Sequence, residues 1–342
     1  MEQVLKSKYR TGKKLSETPF SVTYQGFFVG TDKKVIIKIY KRGTLNSSLI
    51  KSMKQRVKEF SLTNHHGLAR LLDGDYGWQG FYYVREYVEG RSIQEILDSG
   101  EKIGPEKAVA IADQVLATLE SAHAKGIIHG ALKPTNIFLD NQGIVKVTDF
   151  VVEGEIKNSL PLKSLEVMGN AKYASPEEVA GLGSSSSSDI YALGLILFEM
   201  VTGKAAFNDS GLPLNIAKLR LPLILSKEAL APLPNYLREL LAVVLQKDPC
   251  FRLEGATEFK LSLEKKGLLP KQESNKELVK LFENTVLQYG GEELSAKEAE
   301  AVEEVGQVKL RWGKEKHRGW ILALILTVAI ALGLLYSFFL GR

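Results

Sequence analysis

The run from His129 to Asn136, which reads H-G-A-L-K-P-T-N, brings a histidine, a lysine and an asparagine close together in the chain. Lys38 and Asp149 lie outside this run, and each belongs to a segment with the residue pattern of a β-strand. Lysine ammonium groups bind phosphate, and amide and carboxylate oxygens bind hard cations such as magnesium. These residue types could therefore handle a phosphate group and its metal ion, whereas Ala131, in the middle of the run, cannot take up a proton.

Six further segments accompany this run in a fixed order along the chain. They cover residues 35–38, 82–90, 149–151, 175–177, 189–194 and 248–252. In order and in spacing, the seven segments resemble the motifs of the Hanks-type serine/threonine protein kinases, particularly the single-pass bacterial members. Any one segment alone would be weak evidence, but seven in register make a chance match negligible.

The resemblance implies an α+β, bilobal protein-kinase fold at residues 9–268. It places a small β-rich N-lobe at residues 9–87 and a larger helical C-lobe at residues 88–268. The residue pattern agrees with this order, because apolar and β-branched segments predict strands before 88 and helical spacing dominates after it. The almost wholly apolar run 189–202 predicts a helix at the centre of the C-lobe.

More detailed predictions follow from periodicity and turn residues. Strands are predicted at 18–26, 34–40, 80–87 and 143–149, and helices at 48–63, 92–97 and 105–125. The five consecutive serines within 183–188 predict a flexible surface loop.

The resemblance also implies a role for individual residues. The nucleotide-binding residues would be Lys38, Glu86, Val88, Asn136 and Asp149. The metal ligands would be Asn136 and Asp149. Lys133 of the catalytic loop is retained, but Ala131 stands where the family has the aspartate that accepts the substrate proton. No catalytic residue is therefore expected, while ATP and magnesium remain candidate ligands that would bind weakly.

The phosphate-covering loop departs from the family pattern. Ser16, Thr18 and Ser21 occupy its three glycine positions. Glycine suits such a loop because the backbone can approach a phosphate closely when no Cβ intervenes. With Pro19 stiffening the turn, the loop is expected to be a poorer cradle. In the catalytic loop, Gly130 replaces the arginine that ties down a phosphorylated activation segment.

The adenine pocket is predicted to be crowded. Ile36 replaces a smaller alanine, Arg85 occupies the position just before the hinge, and Phe138 lies on the expected floor. Because a buried charge is costly, Arg85 must be paired or reach water.

The family resemblance also implies an ion pair between Lys38 and a glutamate on the helix of the N-lobe. Arg56 stands where the family has that glutamate, so either Lys38 pairs with Glu59 or Asp149, or the ion pair is absent. Three further residues are interpreted as structural. The resemblance implies that Glu177 and Arg252 form a buried pair and that Asp189 holds the backbone of the catalytic loop.

Residues 319–341 form a predicted transmembrane helix. The run 320–340 has about 21 residues without a charge, enough to span the hydrocarbon core of a bilayer. Basic residues at 311–318 precede it, so the positive-inside rule leaves the kinase-like domain in the cytosol, at the inner membrane if the source is bacterial. Residues 269–318 are interpreted as a charged juxtamembrane linker, and the chain as a C-terminal-anchored membrane protein.

Composition narrows the remaining choices. The net charge of +5 is mild for 342 residues and gives no reason to expect nucleic acid as a partner. The single Cys250 excludes an internal disulfide and a cysteine metal cluster. The basic cluster Lys51, Lys54, Arg56 and Lys58 is either a solvated face or a docking site for an acidic or phosphorylated protein.

Two functions remain open at this stage, and a third, a purely structural membrane adaptor without a ligand, differs from the first of them only in whether ATP binds. The first is a membrane-tethered pseudokinase that acts as a binding or regulatory scaffold for protein partners. The alternative is a weakly active, ATP-dependent serine/threonine protein kinase that uses Lys38, Asn136 and Asp149 without the usual catalytic aspartate.

Overall fold

The computed structural model of the protein describes residues 4–63, 65–150, 152–159, 172–207 and 231–269. The N-terminal part folds into a six-stranded antiparallel sheet with the spatial order β1-β2-β3-β4-β6-β5. Its strands are β1 (Val4–Leu5), β2 (Tyr9–Glu17), β3 (Ser21–Phe28), β4 (Lys34–Lys41), β5 (Leu71–Gly77) and β6 (Gly80–Glu86). Strand β4, rich in β-branched residues, lies between β3 and β6 and places Lys38 opposite Tyr83.

One long helix, α1 (Ser47–Phe60), packs against β5 of this sheet. It begins where the side chain of Asn46 accepts a hydrogen bond of 2.8 Å from the backbone N–H of Leu49. This N-cap satisfies one of the free N–H groups of the first turn. Met53, Val57 and Phe60 are buried, and their spacing gives α1 an apolar face toward the sheet.

The C-terminal part is helical, with a small three-stranded antiparallel sheet. Its helices are α2 (Ile93–Asp98), α3 (Pro105–His123), α4 (Val152–Ser159), α5 (Pro176–Val179), α6 (Ser186–Thr202), α7 (Asn235–Val244) and α8 (Ala256–Glu264). The small sheet joins β7 (Arg91–Ser92), β8 (Ile137–Leu139) and β9 (Val145–Val147). Helix α6 is buried along most of its length and contacts α3, α7 and α8, as expected of a central helix. The predicted bilobal α+β architecture is confirmed.

Two local predictions were wrong. The strand predicted at 18–26 begins only at Ser21, because residues 18–20 form the turn between β2 and β3. The serine tract is not a loop throughout: Ser185 caps α6 and Ser186 begins it. Serine side chains at a helix start accept hydrogen bonds from free backbone N–H groups, and Ser185 and Ser188 do this reciprocally.

The predictions for the end of the chain lie outside the described residues. Residues 270–342, which include nearly all of the predicted linker at 269–318 and the whole predicted span at 319–341, are not among them. Where the structure does describe the chain, none of its helices has both the length and the apolar character needed to span a bilayer. The linker and the span therefore stay predictions.

Candidate functional site

Asp189 on α6 holds the backbone of the catalytic loop, the run from His129 to Asn136, at its first two residues. One carboxylate oxygen accepts the backbone N–H of His129 at 2.9 Å, and the other accepts that of Gly130 at 2.8 Å. The ring of His123 contacts the same carboxylate at 2.9 Å. Asp189 therefore has the structural position predicted for it, since it holds the loop through its backbone.

Two polar side chains of the loop are used internally. The Nδ1 atom of His129 lies 3.2 Å from the backbone N–H of Ala131, which donates to it, and Nε2 lies 3.0 Å from the carbonyl oxygen of Thr148. Burial lowers the pKa of His129, which keeps the imidazole neutral. The amide nitrogen of Asn136 donates to the carbonyl oxygen of Ala131 at 3.2 Å. These bonds shape the loop and leave its centre without a proton acceptor at Ala131.

The space bounded by Lys38 of β4, Asp149 and the catalytic loop is called the cleft below. It contains a carboxylate that was not predicted from the sequence. Glu153, in the first turn of α4, forms an ion pair with Lys38 and lies 3.8 Å from Nζ of Lys133. The hydroxyl of Tyr40 donates to the same carboxylate at 2.7 Å. Glu153 is only 1% exposed, and burial alone would raise its pKa. The two lysine charges and the hydrogen bonds outweigh burial and lower that pKa, so the carboxylate is charged.

Lys38 pairs with neither Glu59 nor Asp149, so of the three predicted alternatives the last is correct: the ion pair with a glutamate of α1 is absent. Glu59 accepts a hydrogen bond from Gln55 on the exposed side of α1 instead of reaching the cleft. Arg56, at the position of the missing glutamate, pairs with Glu155 of α4 at 3.0 Å. Helix α4 thus supplies a carboxylate both to the strand lysine and to the arginine of α1, which explains how this chain accommodates the reversed charge at position 56.

Two glycines allow α4 to approach the catalytic loop. A Cβ atom on Gly154 would lie 2.5 Å from the carbonyl oxygen of His129. One on Gly130 would lie 3.1 Å from the Cα atom of Gly154, and Gly130 has a φ of 69°, a conformation that favours glycine. At the other end of α4, Lys157 and Glu178 form a buried ion pair at 2.5 Å. Gly130 therefore does more than remove an arginine, since it makes room for α4.

Asp149, the predicted metal ligand, is paired with Arg85. The guanidinium Nε donates to the aspartate at 2.8 Å, the hydroxyl of Tyr83 donates to the same oxygen at 2.9 Å, and both ionic side chains are buried. Asp149 has a φ of 64°, in the left-handed region that aspartate tolerates better than most residues. The pairing confirms that the charge of Arg85 is not left unpaired.

Arg85 also reaches the hinge. Its Nη1 atom donates to the carbonyl oxygen of Glu86 at 3.2 Å, and the guanidinium carbon lies 5.8 Å from the centroid of the Phe138 ring. The carboxylate of Glu86 faces Arg70 and Lys146, while Val88 is buried. The nucleotide-binding roles predicted for Glu86 and Val88 stay predictions, but the arginine occupies space between the hinge and Asp149.

The loop above the cleft is a tight turn. The side-chain oxygen of Thr18 accepts hydrogen bonds from the backbone N–H groups of Phe20 and Ser21, at 3.2 and 3.0 Å. The backbone N–H of Thr18 donates in turn to the carbonyl oxygen of Ser21. Backbone N–H groups that could face a phosphate are thus satisfied within the turn itself.

The arrangement does not fit magnesium-bound ATP. Lys38 and Lys133 face Glu153, and Asp149 pairs with Arg85. Lys38 and Asp149, the groups that the family uses for phosphate and metal, therefore already have charged partners within the chain. Within the described residues, no cluster of three or more histidine, cysteine, aspartate or glutamate side chains could hold a metal ion. The ion pairs of the cleft therefore occupy the positions where the family binds phosphate and magnesium.

Comparison with known proteins decides the family. Residues 9–261 match the protein kinase domain. The chain belongs to the Hanks-type serine/threonine protein kinase family. This kinase domain is 31% identical over 265 residues to a Clostridium perfringens protein named as a probable serine/threonine-protein kinase, covering 77% of this chain and 39% of that protein.

Two further relatives are bacterial kinases. The serine/threonine-protein kinase PrkC of Bacillus subtilis is 27% identical over 316 residues, which cover 89% of this chain and 48% of PrkC. The serine/threonine-protein kinase PknA of Mycobacterium tuberculosis is 28% identical over 265 residues, which cover 75% of this chain and 60% of PknA. The matched residues thus cover roughly two fifths to three fifths of the length of these relatives.

Proposed function

We propose that this protein kinase domain is a pseudokinase, which acts as a binding or regulatory scaffold instead of transferring phosphate. The observation that supports the proposal is the changed pairing of charges in the cleft: Glu153 pairs with Lys38 and lies near Lys133, while Arg85 pairs with Asp149. Glu153, Arg85 and Asp149 are buried, so separating either pair would leave a charge in a poorly solvated site. Protein partners are the expected ligands.

The missing base alone would not carry this proposal. General acid–base groups contribute on the order of 10²–10⁴-fold, so Ala131 by itself would leave slow residual turnover. Phosphoryl transfer depends mainly on positioning and on neutralising the phosphate charge. The re-paired cleft affects both, because a nucleotide would have to displace Glu153 from Lys38 and Arg85 from Asp149.

The alternative is a weakly active serine/threonine kinase that uses Lys38, Asn136 and Asp149. It requires α4 to leave the cleft, so that Lys38 could face phosphate and Asp149 could face magnesium. Two observations support this alternative. Asn136 and Asp149 stand at the positions of the family's metal ligands, and the relatives are named as kinases.

The deciding experiment is a phosphorylation assay on the purified full chain. Wild-type protein and Lys38→Met protein should incorporate the same background of label from radioactive ATP and magnesium, into themselves or into a general substrate protein. An added partner protein provides a second arm, because a partner could release α4. Labelling well above the Lys38→Met background that disappears in Asp149→Ala protein would establish the alternative.

We also propose that residues 319–341 tether the kinase domain to a membrane, with that domain on the cytosolic side. The support is the uncharged run 320–340 and the basic residues before it. Protein truncated before Gly319 should leave the membrane fraction, whereas the full chain should stay there through a high-salt wash. If the truncated protein also resists the wash, another part of the chain holds it.

A further inference from the structure

A groove outside the cleft runs between helix α1 and strand β5. It encloses about 990 Å³, which lies at the upper end of the range for ligand pockets. None of the cleft residues discussed above lines it. The α1–β5 groove, as it is called below, is therefore a second concave surface of the kinase domain, and nothing in the proposed function uses it.

The floor of the α1–β5 groove is aliphatic. Leu45 and Val57 are buried there, and Ile50 is partly exposed beside them. Gly74 lets the strand lie close to the helix, since a Cβ atom on it would be 3.0 Å from Cγ1 of Val57. An apolar side chain that enters the groove would meet carbon atoms and lose contact with water, which favours its burial.

The rim of the groove carries an excess of positive charge. Lys6 pairs with Asp73 and Asp75, each at 2.9 Å, and Lys54 pairs with Asp75 at 2.5 Å. These contacts neutralise both aspartates. Three more cations line the groove: Arg42, Lys51 and Lys58. Among the described residues, the side chains of these three have no hydrogen bond or ion pair, and all three residues are exposed.

The spacing of the lysines on α1 places them in a row along the groove. Lys51, Lys54 and Lys58 are spaced by three and four residues, so they follow one face of the helix along the groove. A row of cations beside an aliphatic floor is complementary to an extended chain that alternates carboxylates with apolar side chains. A flat anionic surface would satisfy the row of cations but could not reach the floor.

We infer that the α1–β5 groove docks an acidic peptide segment of a partner protein, with an apolar side chain of that segment on the aliphatic floor and its carboxylates facing Arg42, Lys51 and Lys58. The inference gives the kinase domain an interaction surface of its own. It does not depend on whether the cleft transfers phosphate, because the groove and the cleft are lined by different residues.

The test is peptide binding to the full chain, measured by fluorescence anisotropy. The probe is a short labelled peptide that alternates glutamate with leucine and phenylalanine, and it is compared with peptides in which lysine replaces glutamate or alanine replaces the apolar residues. Wild-type protein should bind the first peptide and neither of the others. Binding should weaken as salt is added, because the contacts of the rim are screened.

Charge-reversal variants locate the site. The double variant K51E/K58E should weaken binding of the acidic peptide on the order of tenfold or more, since attraction becomes repulsion at two rim positions. The matched control K102E/K265E changes the net charge equally, at exposed lysines that do not line the groove. It should bind like wild type. Both variants should keep the thermal melting temperature of wild type, because the changed side chains are exposed and unpaired.

Several outcomes would overturn the inference. Equal binding by wild type and K51E/K58E would place the peptide elsewhere, and equal loss in both double variants would show a general charge effect. Equal binding of the alanine peptide would remove the role of the floor. Retention by vesicles that contain anionic lipid, lost in K51E/K58E without any peptide binding, would make the surface a membrane contact. Concentration-dependent self-association lost in K51E/K58E would make it a contact between copies.

Discussion

Two buried arginine–carboxylate pairs, one in the C-lobe and one in the cleft, connect residues that belong to the kinase motifs. In the C-lobe, Arg252 meets Glu177 through two parallel contacts of 2.7 Å each, as the family resemblance implied. In the cleft, Arg85 meets Asp149 at 2.8 Å, where the resemblance implied a magnesium ion beside the aspartate. Both pairs are buried, although the C-lobe pair has two contacts and the cleft pair one, and only the C-lobe pair joins the expected partners.

The difference between the C-lobe and the cleft shows that a retained residue does not guarantee a retained partner. Glu177 and Arg252 join each other within the C-lobe, and Asp189 holds the backbone of the catalytic loop. Lys38 and Asp149 also match the family motifs, but their partners here are Glu153 and Arg85, which the resemblance did not imply. We therefore expect the C-lobe pair to contribute to the free energy of unfolding. We expect the cleft pairs to determine which ligands cannot bind.

The largest effect should come from breaking the C-lobe pair. Arg252→Gln leaves the carboxylate of Glu177 buried without its charged partner and also removes hydrogen bonds to the carbonyl oxygens of Gln246 and Lys247. Removing one member of such a pair costs about 3–5 kcal/mol of unfolding free energy. Urea unfolding monitored by circular dichroism measures the loss.

The matched control is an arginine in an exposed ion pair. Arg70 lies 3.5 Å from Glu86, and its side chain is about half exposed. Arg70→Gln should change the unfolding free energy by less than about 1 kcal/mol, as is usual for surface pairs. A similar cost for both variants would mean that burial does not distinguish them, and the comparison between regions would lose its basis.

Glu153→Gln should lower the free energy of unfolding less than Arg252→Gln does, but it changes the charge of the cleft directly. It leaves Lys38 and Lys133 facing a neutral amide and should lower the unfolding free energy by about 2–3 kcal/mol, less than for a fully buried pair because the lysines keep some exposure. Because the pKa of Glu153 is lowered on folding, its contribution is complete above its unfolded-state pKa of about 4.3. It is lost as the pH falls through the lower folded-state pKa, so the wild-type and variant stabilities should converge in acid.

Gly154→Ala tests the same docking of α4 without changing a charge. The added Cβ atom meets the backbone at His129, so the contact must open at a cost of about 1–3 kcal/mol. Gly267→Ala is the control, since a Cβ atom there meets nothing within 4 Å. If α4 closes the cleft, both Glu153→Gln and Gly154→Ala should raise the thermal shift that ATP and magnesium produce. An unchanged shift in both variants would show that the cleft is closed by something other than α4.

The sequence predicted the fold well because its motifs occur in register, and because α3 and α6 have strong helical patterns. It also predicted that Arg85 needs a partner and that Asp189 holds the loop. It missed Glu153, since periodicity says which face a residue takes within a helix but not where a short helix docks. Two residues did carry a signal: Arg56 reverses a charge that must be compensated, and Gly130 removes a side chain from the surface where α4 packs.

The ion pair of Glu153 with Lys38 has a consequence for how the cleft would compete for a soluble ligand. Glu153 belongs to the same chain as its partner, so it acts as a tethered competitor whose effective concentration does not fall on dilution. A nucleotide could bind only the fraction of molecules in which α4 has withdrawn. If that fraction were about 1%, the apparent affinity would be about a hundredfold weaker than that of the open cleft. The docking equilibrium of α4 would then set the affinity for nucleotide, and any partner that shifted this equilibrium would change that affinity without touching the nucleotide.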